Sequence, residues 1–285
     1  MIYLSAFSDE GAESLKGQIE TLTKHNIYYT EIRSVNGVNV SKFDINTAKE
    51  YQKQMADNGI KVWSIGSPIG KVNIDVDFNE YLNLFKHVLD LAKVFETDKI
   101  RMFSFFNAYN QKNKVFDYLN QMVEIAKDYG VTLCHENEKE VYGDTAERVL
   151  ELMDNCKGLK FIYDPVNYIA VGENAEETLK LFHDKTEYFH IKDMIASTGE
   201  HVPAGLGDGK IKEIIENYSD GKVLTLEPHL AVFSGYAQID NFEMKNKFKF
   251  NSNEEAFDMA VKSLKEIILS QGYKEVKGGF TKVWK

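Results

Sequence analysis

The sequence predicts a (β/α)8 TIM barrel, a single domain over residues 1–285, and three observations carry that prediction. Eight short runs rich in β-branched and aromatic residues recur along the chain. Stretches of helical periodicity separate them. Eight such units in roughly 250 residues match the usual size of this barrel.

The elements follow in order. Run 2–7 (IYLSAF) leads into 12–25 (AESLKGQIETLTKH), where Leu15, Ile19 and Leu22 recur at helical spacing. Run 27–33 (IYYTEIR) precedes a helix over 46–57, and 60–66 (IKVWSIG) precedes one over 78–95. Next come 99–105 (KIRMFSF) with 114–129, 131–136 (VTLCHE) with 145–155, and 160–164 (KFIYD) with 174–183. The last pairs are 187–191 (EYFHI) with 210–217 and 223–227 (VLTLE) with 254–270. Four helices end in "HNI", "DNGI", "DYGV" and "CKGL", which place asparagine or glycine where a left-handed C-cap is needed. Strands this apolar, separated by helices, imply parallel pairing with both faces covered. A doubly wound open sheet is the competing architecture. No GxGxxG follows the first strand, which weighs against its dinucleotide-binding form.

Composition narrows the function. A 43% hydrophobic share and only four prolines fit an ordered globular chain. A net charge of −10 and a pI near 5.3 oppose binding to nucleic acid, whose phosphates call for a basic surface. Cys134 and Cys156 are too few for a disulfide framework, so a reduced, cytoplasmic setting is expected. The opening MIYLSAFSDE lacks the basic and long apolar regions of a signal peptide. No window approaches ~18 uninterrupted apolar residues, so no membrane span is expected.

In such a barrel the chemistry sits at the carboxyl ends of the strands. The fifth strand ends in Glu136, the sixth in Asp164, the seventh in His190 and the eighth in Glu227. Adjacent strands lie ~4.8 Å apart, so these four side chains converge on one rim. Three carboxylates there would raise one another's pKa unless a cation lay between them. One divalent metal ion removes that cost, and oxygen ligands with one imidazole suit Mn²⁺, Mg²⁺ or Co²⁺, with Zn²⁺ also admitted. His135 and Glu138 are expected beside Glu136 on the rim. Taken singly each residue has a plainer explanation: a solvated strand end, a core histidine, or an aspartate starting a turn before Pro165.

The segments "HENEKEVYGD", "DPVN", "HIKD" followed by "PAGLGDG", and "LEPH", in this order and spacing, resemble the xylose isomerase-like TIM barrel superfamily. That superfamily contains sugar and sugar phosphate isomerases and epimerases, hydroxypyruvate isomerase, inosose dehydratase and the endonuclease IV group. The similarity runs from "SAFSDE" to the last helix. "EIRSVNG" and "GSPIGK" look like the bacterial sugar phosphate isomerase/epimerase branch. The resemblance implies that Glu136, Asp164, His190 and Glu227 bind one divalent metal. It further implies that Glu136 and Glu227 form the acid/base pair that moves a proton through a metal-stabilised enediolate. Two positions depart from the epimerase pattern: Asn167 stands where a histidine is placed, and Lys192 where an arginine touches a substrate oxygen. The endonuclease group adds histidines at the third and fourth strand ends, where this chain has Ser67 and Ser104. DNA repair is therefore not expected.

Other polar residues have two readings each. Arg33 either pairs with Glu31 or Glu10 or reaches a substrate phosphate or carboxylate. Lys71 in "GSPIGK" is a substrate contact or a solvated lysine, and His229 a substrate hydrogen bond or a loop histidine. Arg101, inside the fourth strand, is expected to form an ion pair, in the barrel interior or at an interface, rather than to act in catalysis. The glycines of "AGLGDG" (204–209) permit a tight loop, with no following GK[ST] to mark a phosphate cradle. Phe103, Phe105, Phe106 and Tyr109 are core or a sugar-stacking platform, with core favoured. Connections longer than about 12–15 residues usually do a job. The loop at about 228–253, with Phe233, Tyr236, Phe242, Phe248 and Phe250, therefore fits a lid, a contact with a second subunit of a homo-oligomer, or a loop packed on its own barrel. The tail at about 273–285 leaves Phe280 and Trp284 to be buried.

The expected activity is a metal-dependent isomerase or epimerase of a small sugar, sugar phosphate or related hydroxy-carbonyl compound. The alternatives are an inosose dehydratase-like lyase and a non-catalytic sugar-binding barrel. The expected partner is a small carbohydrate, with no nucleic acid and no membrane.

Overall fold

In the computed structural model, which describes residues 1–217, 221–233 and 244–283, eight parallel strands form one sheet that curls into a barrel. They are β1 (Tyr3–Ala6), β2 (Tyr29–Ile32), β3 (Lys61–Gly66), β4 (Lys99–Met102), β5 (Thr132–Glu136), β6 (Lys160–Tyr163), β7 (Tyr188–Ile191) and β8 (Val223–Leu226). Every predicted run contains its strand, trimmed at the ends. The ladder runs in chain order from β2 to β8 and then on to β1, with Tyr3 beside Val223 and Ala6 beside Leu226. At the β1/β2 seam side chains replace the ladder. There the Thr30 hydroxyl donates to the Ala6 carbonyl at 3.0 Å and meets the Ser8 hydroxyl at 3.3 Å. A register shift between Thr30 and Glu31 sets Glu31 beside Ser64 and skips Trp63.

The helices are α1 (Leu15–Lys24), α2 (Ile45–Asp57), α3 (Phe78–Val94), α4 (Lys112–Asp128), α5 (Ala146–Asn155), α6 (Pro165–Ala170), α7 (Ala175–Phe182), α8 (Ile211–Glu216) and α9 (Asn253–Ser270). Side chains of Ser14, Asp44, Asp77, Thr145, Asn174 and Ser252 cap their first turns, each accepting orphan backbone N–H groups. Their far ends turn through Asn26, Gly59, Gly130 and Gly158 at φ of 55°, 75°, 70° and 96°, as the four sequence signals predict. Each helix buries one apolar stripe on the sheet, for example Phe85, Val88, Leu89 and Ala92 of α3. Each such side chain contributes roughly 1.5–3 kcal/mol.

α6 is not among the predicted helices. Asp164 starts it, its Oδ1 accepting from Val166 N and Asn167 N, with Pro165 in the first turn, where its missing N–H costs nothing. The tail folds into a hairpin, Tyr273–Val276 with Gly279–Lys282. Phe280 is buried and exchanges backbone hydrogen bonds of 2.9 and 2.8 Å with Ile2. Trp284 lies outside the described residues, as do Tyr236 and Phe242 of the 228–253 loop. Within that loop Phe233 is buried, Phe250 half-buried and Phe248 exposed. Cys134 and Cys156 are buried and free. No described helix is long and apolar enough to cross a membrane.

Candidate metal centre

Period-two alternation sends Glu136 of β5, with Cys134 below it, and His190 of β7, with Tyr188 below it, into the barrel. Asp164 follows the last residue of β6, and Glu227 follows that of β8. Glu136, Asp164, His190 and Glu227 are all buried, and each offers a ligand atom within 4.8 Å of the other three. His190 Nδ1 lies 3.0 Å from Glu136 Oε1 and 3.2 Å from Glu227 Oε2. Its Nε2 turns away, 3.1 Å from Glu31 Oε2. Nδ1 therefore faces the cluster, and Glu31 fixes the ring from behind, as carboxylates do for ligating histidines. Glu31 is itself held by the Tyr188 hydroxyl at 3.0 Å, which also reaches Ser64.

Fixed cations surround the acids. Arg101 Nη1 donates to Glu136 Oε2 at 3.2 Å, and Arg33 Nη1 to Glu227 Oε1 at 2.9 Å. Lys192 Nζ lies 2.9 Å from Asp164 Oδ2 and 3.6 Å from Glu227 Oε2. Burial pushes the Glu136 carboxyl up, but the His190 and Arg101 charges outweigh it and leave it below its ordinary value. Glu227 is likewise pushed up by burial, yet Lys192 and His190 hold it well below. At Asp164 burial wins over Lys192, and the carboxyl rises to about 6. Burial would discharge His190, but the carboxylates of Glu136 and Glu31 raise it well above the ordinary histidine value.

Two buried oxygens, Asp164 Oδ2 and Glu227 Oε2, accept no hydrogen bond; Lys192 is near both without being aligned to donate. Buried acceptors left so are unusual. Three carboxylates and one imidazole nitrogen, two of the oxygens with open lone pairs, fit a hard or borderline divalent cation.

The other predicted residues fall as follows. Asn167 Nδ2 donates to Asn137 O at 2.9 Å and to Glu136 Oε1 at 3.3 Å, so it steadies Glu136. His229, at φ 48°, donates its backbone N–H to Glu10 Oε2 at 2.8 Å. Its ring stacks on Phe233, with Nε2 3.6 Å from Glu227 Oε1. Lys71 pairs with Glu138 at 2.8 Å and covers the Phe103 ring. Arg101 occupies the interior and pairs with Glu136, the first of the two expected settings. Arg33 does not pair with Glu31. It forks onto Asp9 with two contacts of 2.9 Å, reaches Glu10 at 3.1 Å, and lies between Phe7 and Phe233.

His135 departs from expectation. It is no rim residue but faces outward from the barrel, fully buried, with Nε2 2.9 Å from Ser104 Oγ. The same alternation that sends Glu136 in sends His135 out, and burial pushes its pKa down to about 3. Phe103 and Phe105 are core, whereas Tyr109 is 47% exposed and bonds Asp144. The "AGLGDG" glycines wrap a carboxylate of the chain itself. Asp193 accepts from Gly205 N, Gly207 N and Gly209 N at 2.8, 3.0 and 2.9 Å.

Sequence reasoning passed over Asp9 and the role of Glu31, and named Glu10 only as a partner of Arg33, which it is. Glu31 was findable, because it shares a β2 face with Arg33 and sits two residues from it. Asp9 and Glu10 lie in a single turn after β1 that carries no periodic signal. Burial raises the Glu10 carboxyl to about 8 even though Arg33 opposes this.

A family model described as xylose isomerase-like TIM barrel matches residues 27–230. Among solved structures, the chain is similar to the probable 3-DHS dehydratase AsbF from Bacillus anthracis, with 16% identity, TM-score 0.70, and 95% of this chain and 99% of that one covered. It is similar to the IolI protein with a bound zinc atom, with 19% identity, TM-score 0.69, and 94% and 99% covered. It is also similar to a D-psicose 3-epimerase crystallised with D-fructose, with 16% identity, TM-score 0.72, and 95% and 99% covered. No curated protein sequence matches the chain.

Proposed function

Since the chain belongs to the xylose isomerase-like TIM barrel family, we propose that it is a divalent-metal-dependent isomerase or epimerase of a small hydroxy-carbonyl carbohydrate. The observation that carries this reading is the meeting of Glu136, Asp164, His190 Nδ1 and Glu227 at the carboxyl pole. These four would hold one Mn²⁺, Mg²⁺, Co²⁺ or Zn²⁺ ion. When bound, the ion supplies Lewis-acid polarisation of a carbonyl and its neighbouring hydroxyl, which acidifies the C–H bond between them.

The chain moves the proton. Glu136 and Glu227 come from β5 and β8, with β6 and β7 between them, so their carboxylates approach a substrate from different sides. One removes the proton from carbon and the other returns a proton. Arg101 and Arg33 hold the two glutamates charged and aimed, and Asn167 braces Glu136 from the α6 side. Lys192, beside Asp164, is placed to donate to a substrate oxygen. Phe7, Phe103 and Phe233 face the arginines and exclude water.

Likeness to a probable dehydratase supports a second reading, in which the same proton removal is followed by loss of a β-hydroxyl. Manganese-loaded protein incubated in D2O with a panel of ketoses and polyol ketones separates the readings. Deuterium at the carbon next to the carbonyl, without a new double bond, is the expected outcome. Water loss selects the lyase. Absence of exchange across the panel selects a sugar-binding barrel.

A further inference from the structure

We propose that the amino pole of the barrel, the end opposite the metal centre, carries a second ligand site, which takes a planar aromatic ring bearing an anionic arm. The site stands independently of the reading above.

Two adjoining clefts open there. One, of about 420 Å³, lies against the first residues of β2 and β3 and the end of α3, and is walled by Tyr29, Gln52, Ala56, Trp63 and Phe95. The other, of about 310 Å³, shares Tyr29, Gly59 and Lys61 with it and runs on to Tyr3 and to Lys277 in the turn of the terminal hairpin. Each falls within the roughly 300–1,000 Å³ of small-molecule sites. A file of rings joins them: Tyr3 meets Tyr29 edge to face with centroids 5.7 Å apart, and Tyr29 meets Trp63 at 6.0 Å. Such rings bind planar ligands by stacking and edge contacts.

The amino face of such a barrel ordinarily serves stability, and a structural face satisfies its buried polar atoms. This one does not. Trp63 Nε1, a donor, and Gln52 Oε1, an acceptor, are buried without a hydrogen-bond partner among the described residues. Both belong to side chains that wall the larger cleft. A ring with an acceptor and a donor on one edge answers both.

The lysines place the anionic arm. Lys61 is exposed, common to both clefts, and forms no ion pair among the described residues. Lys277 lies over the Tyr28 ring at 5.9 Å, again with no carboxylate partner among the described residues. The larger cleft also holds Glu96 and Asp98, the second paired with Lys99 at 2.9 Å. The smaller cleft holds two lysines and no acid. The ring therefore belongs in the larger cleft and the arm in the smaller.

The test is calorimetry with AMP, adenosine, ribose 5-phosphate and 6-aminonicotinate, run with and without Mn²⁺, because binding at this pole needs no metal. NMR follows the indole N–H of Trp63, assigned through Trp284→Phe, which leaves Trp63 the sole tryptophan. AMP or 6-aminonicotinate should bind without metal and shift that resonance, with adenosine and ribose 5-phosphate binding more weakly than AMP. AMP alone identifies a nucleotide as the ligand, 6-aminonicotinate alone an aromatic carboxylate. Lys61→Ala should weaken the anionic probe about tenfold, the worth of one charge-assisted hydrogen bond, and leave adenosine unchanged. Ala56→Phe, at an exposed position of α2, should fill the larger cleft and abolish binding with circular dichroism unaltered. The proposal is overturned if neither anionic probe binds without metal, or if binding leaves the Trp63 resonance in place. It is also overturned by adenosine or ribose 5-phosphate binding as tightly as AMP, or by binding that Lys61→Ala does not weaken.

Discussion

Glu31 and His190 face each other across the barrel interior, with Glu31 Oε2 3.1 Å from Nε2 and both side chains fully buried. The pairing fixes which imidazole nitrogen looks toward Glu136 and Glu227. Glu31→Gln is expected to lower Mn²⁺ affinity roughly 10–100-fold, the usual cost of losing such a partner. Titration calorimetry reads the affinity, and circular dichroism checks that the fold is kept. Unchanged affinity would remove Glu31 from the site.

Glu136→Gln is expected to stop proton exchange at the substrate carbon. It should also lower stability, by about 2–3 kcal/mol, because Arg101 and His190 lose a charged acceptor in a buried setting. Although it ends its strand at the rim, Glu136 is 1% exposed. Thermal unfolding and NMR exchange measure the two effects separately. A variant that retains exchange would deny Glu136 its role.

Metal uptake should expel a proton. His190 is held protonated by Glu136 and Glu31, and a cation needs the lone pair of Nδ1. Protonation therefore competes with metal, so affinity should rise with pH, by about tenfold per unit near neutrality. Below about 6 the dependence should steepen as Asp164 also takes up a proton. Calorimetry in two buffers of different ionisation enthalpy counts the protons. A flat profile would argue against His190 as a ligand.

Two glycines with the same sign of φ should respond differently to alanine. At Gly130 (φ +70°) a methyl group meets open space, so only the backbone penalty of about 1 kcal/mol applies. At Gly70 (φ +89°) it would lie 2.1 Å from the Phe103 carbonyl oxygen. Gly70→Ala should therefore lose several times more stability in chemical denaturation. Equal losses would contradict the close approach of the 66–71 loop to β4.

The strands were legible because parallel barrel strands are buried on both faces and stand out as apolar runs. The long helices were legible from their caps and stripes. α6 escaped because six residues give less than two turns of periodicity, although "DPVN" holds both its cap and its proline. The four clustered side chains were found because each terminates a strand. His135 was misplaced by reading proximity along the chain instead of alternation. The arginine networks were legible only in part: Arg33 with Glu10 and an ion pair at Arg101 were expected, but Asp9 and Glu136 as their partners, 24 and 35 positions away, were not. No local pattern encodes such distances.

The backbone exchange between Ile2 and Phe280, with Tyr3 beside Val223, has a consequence for biosynthesis. The first stave of the barrel to be synthesised meets β2 early but waits for its ladder partner, which emerges some two hundred residues later. Until then an apolar edge has no ladder partner, and long-range pairing of this kind is slow and prone to aggregation. Nascent chains stalled before Val223 should therefore engage chaperones that the finished protein ignores.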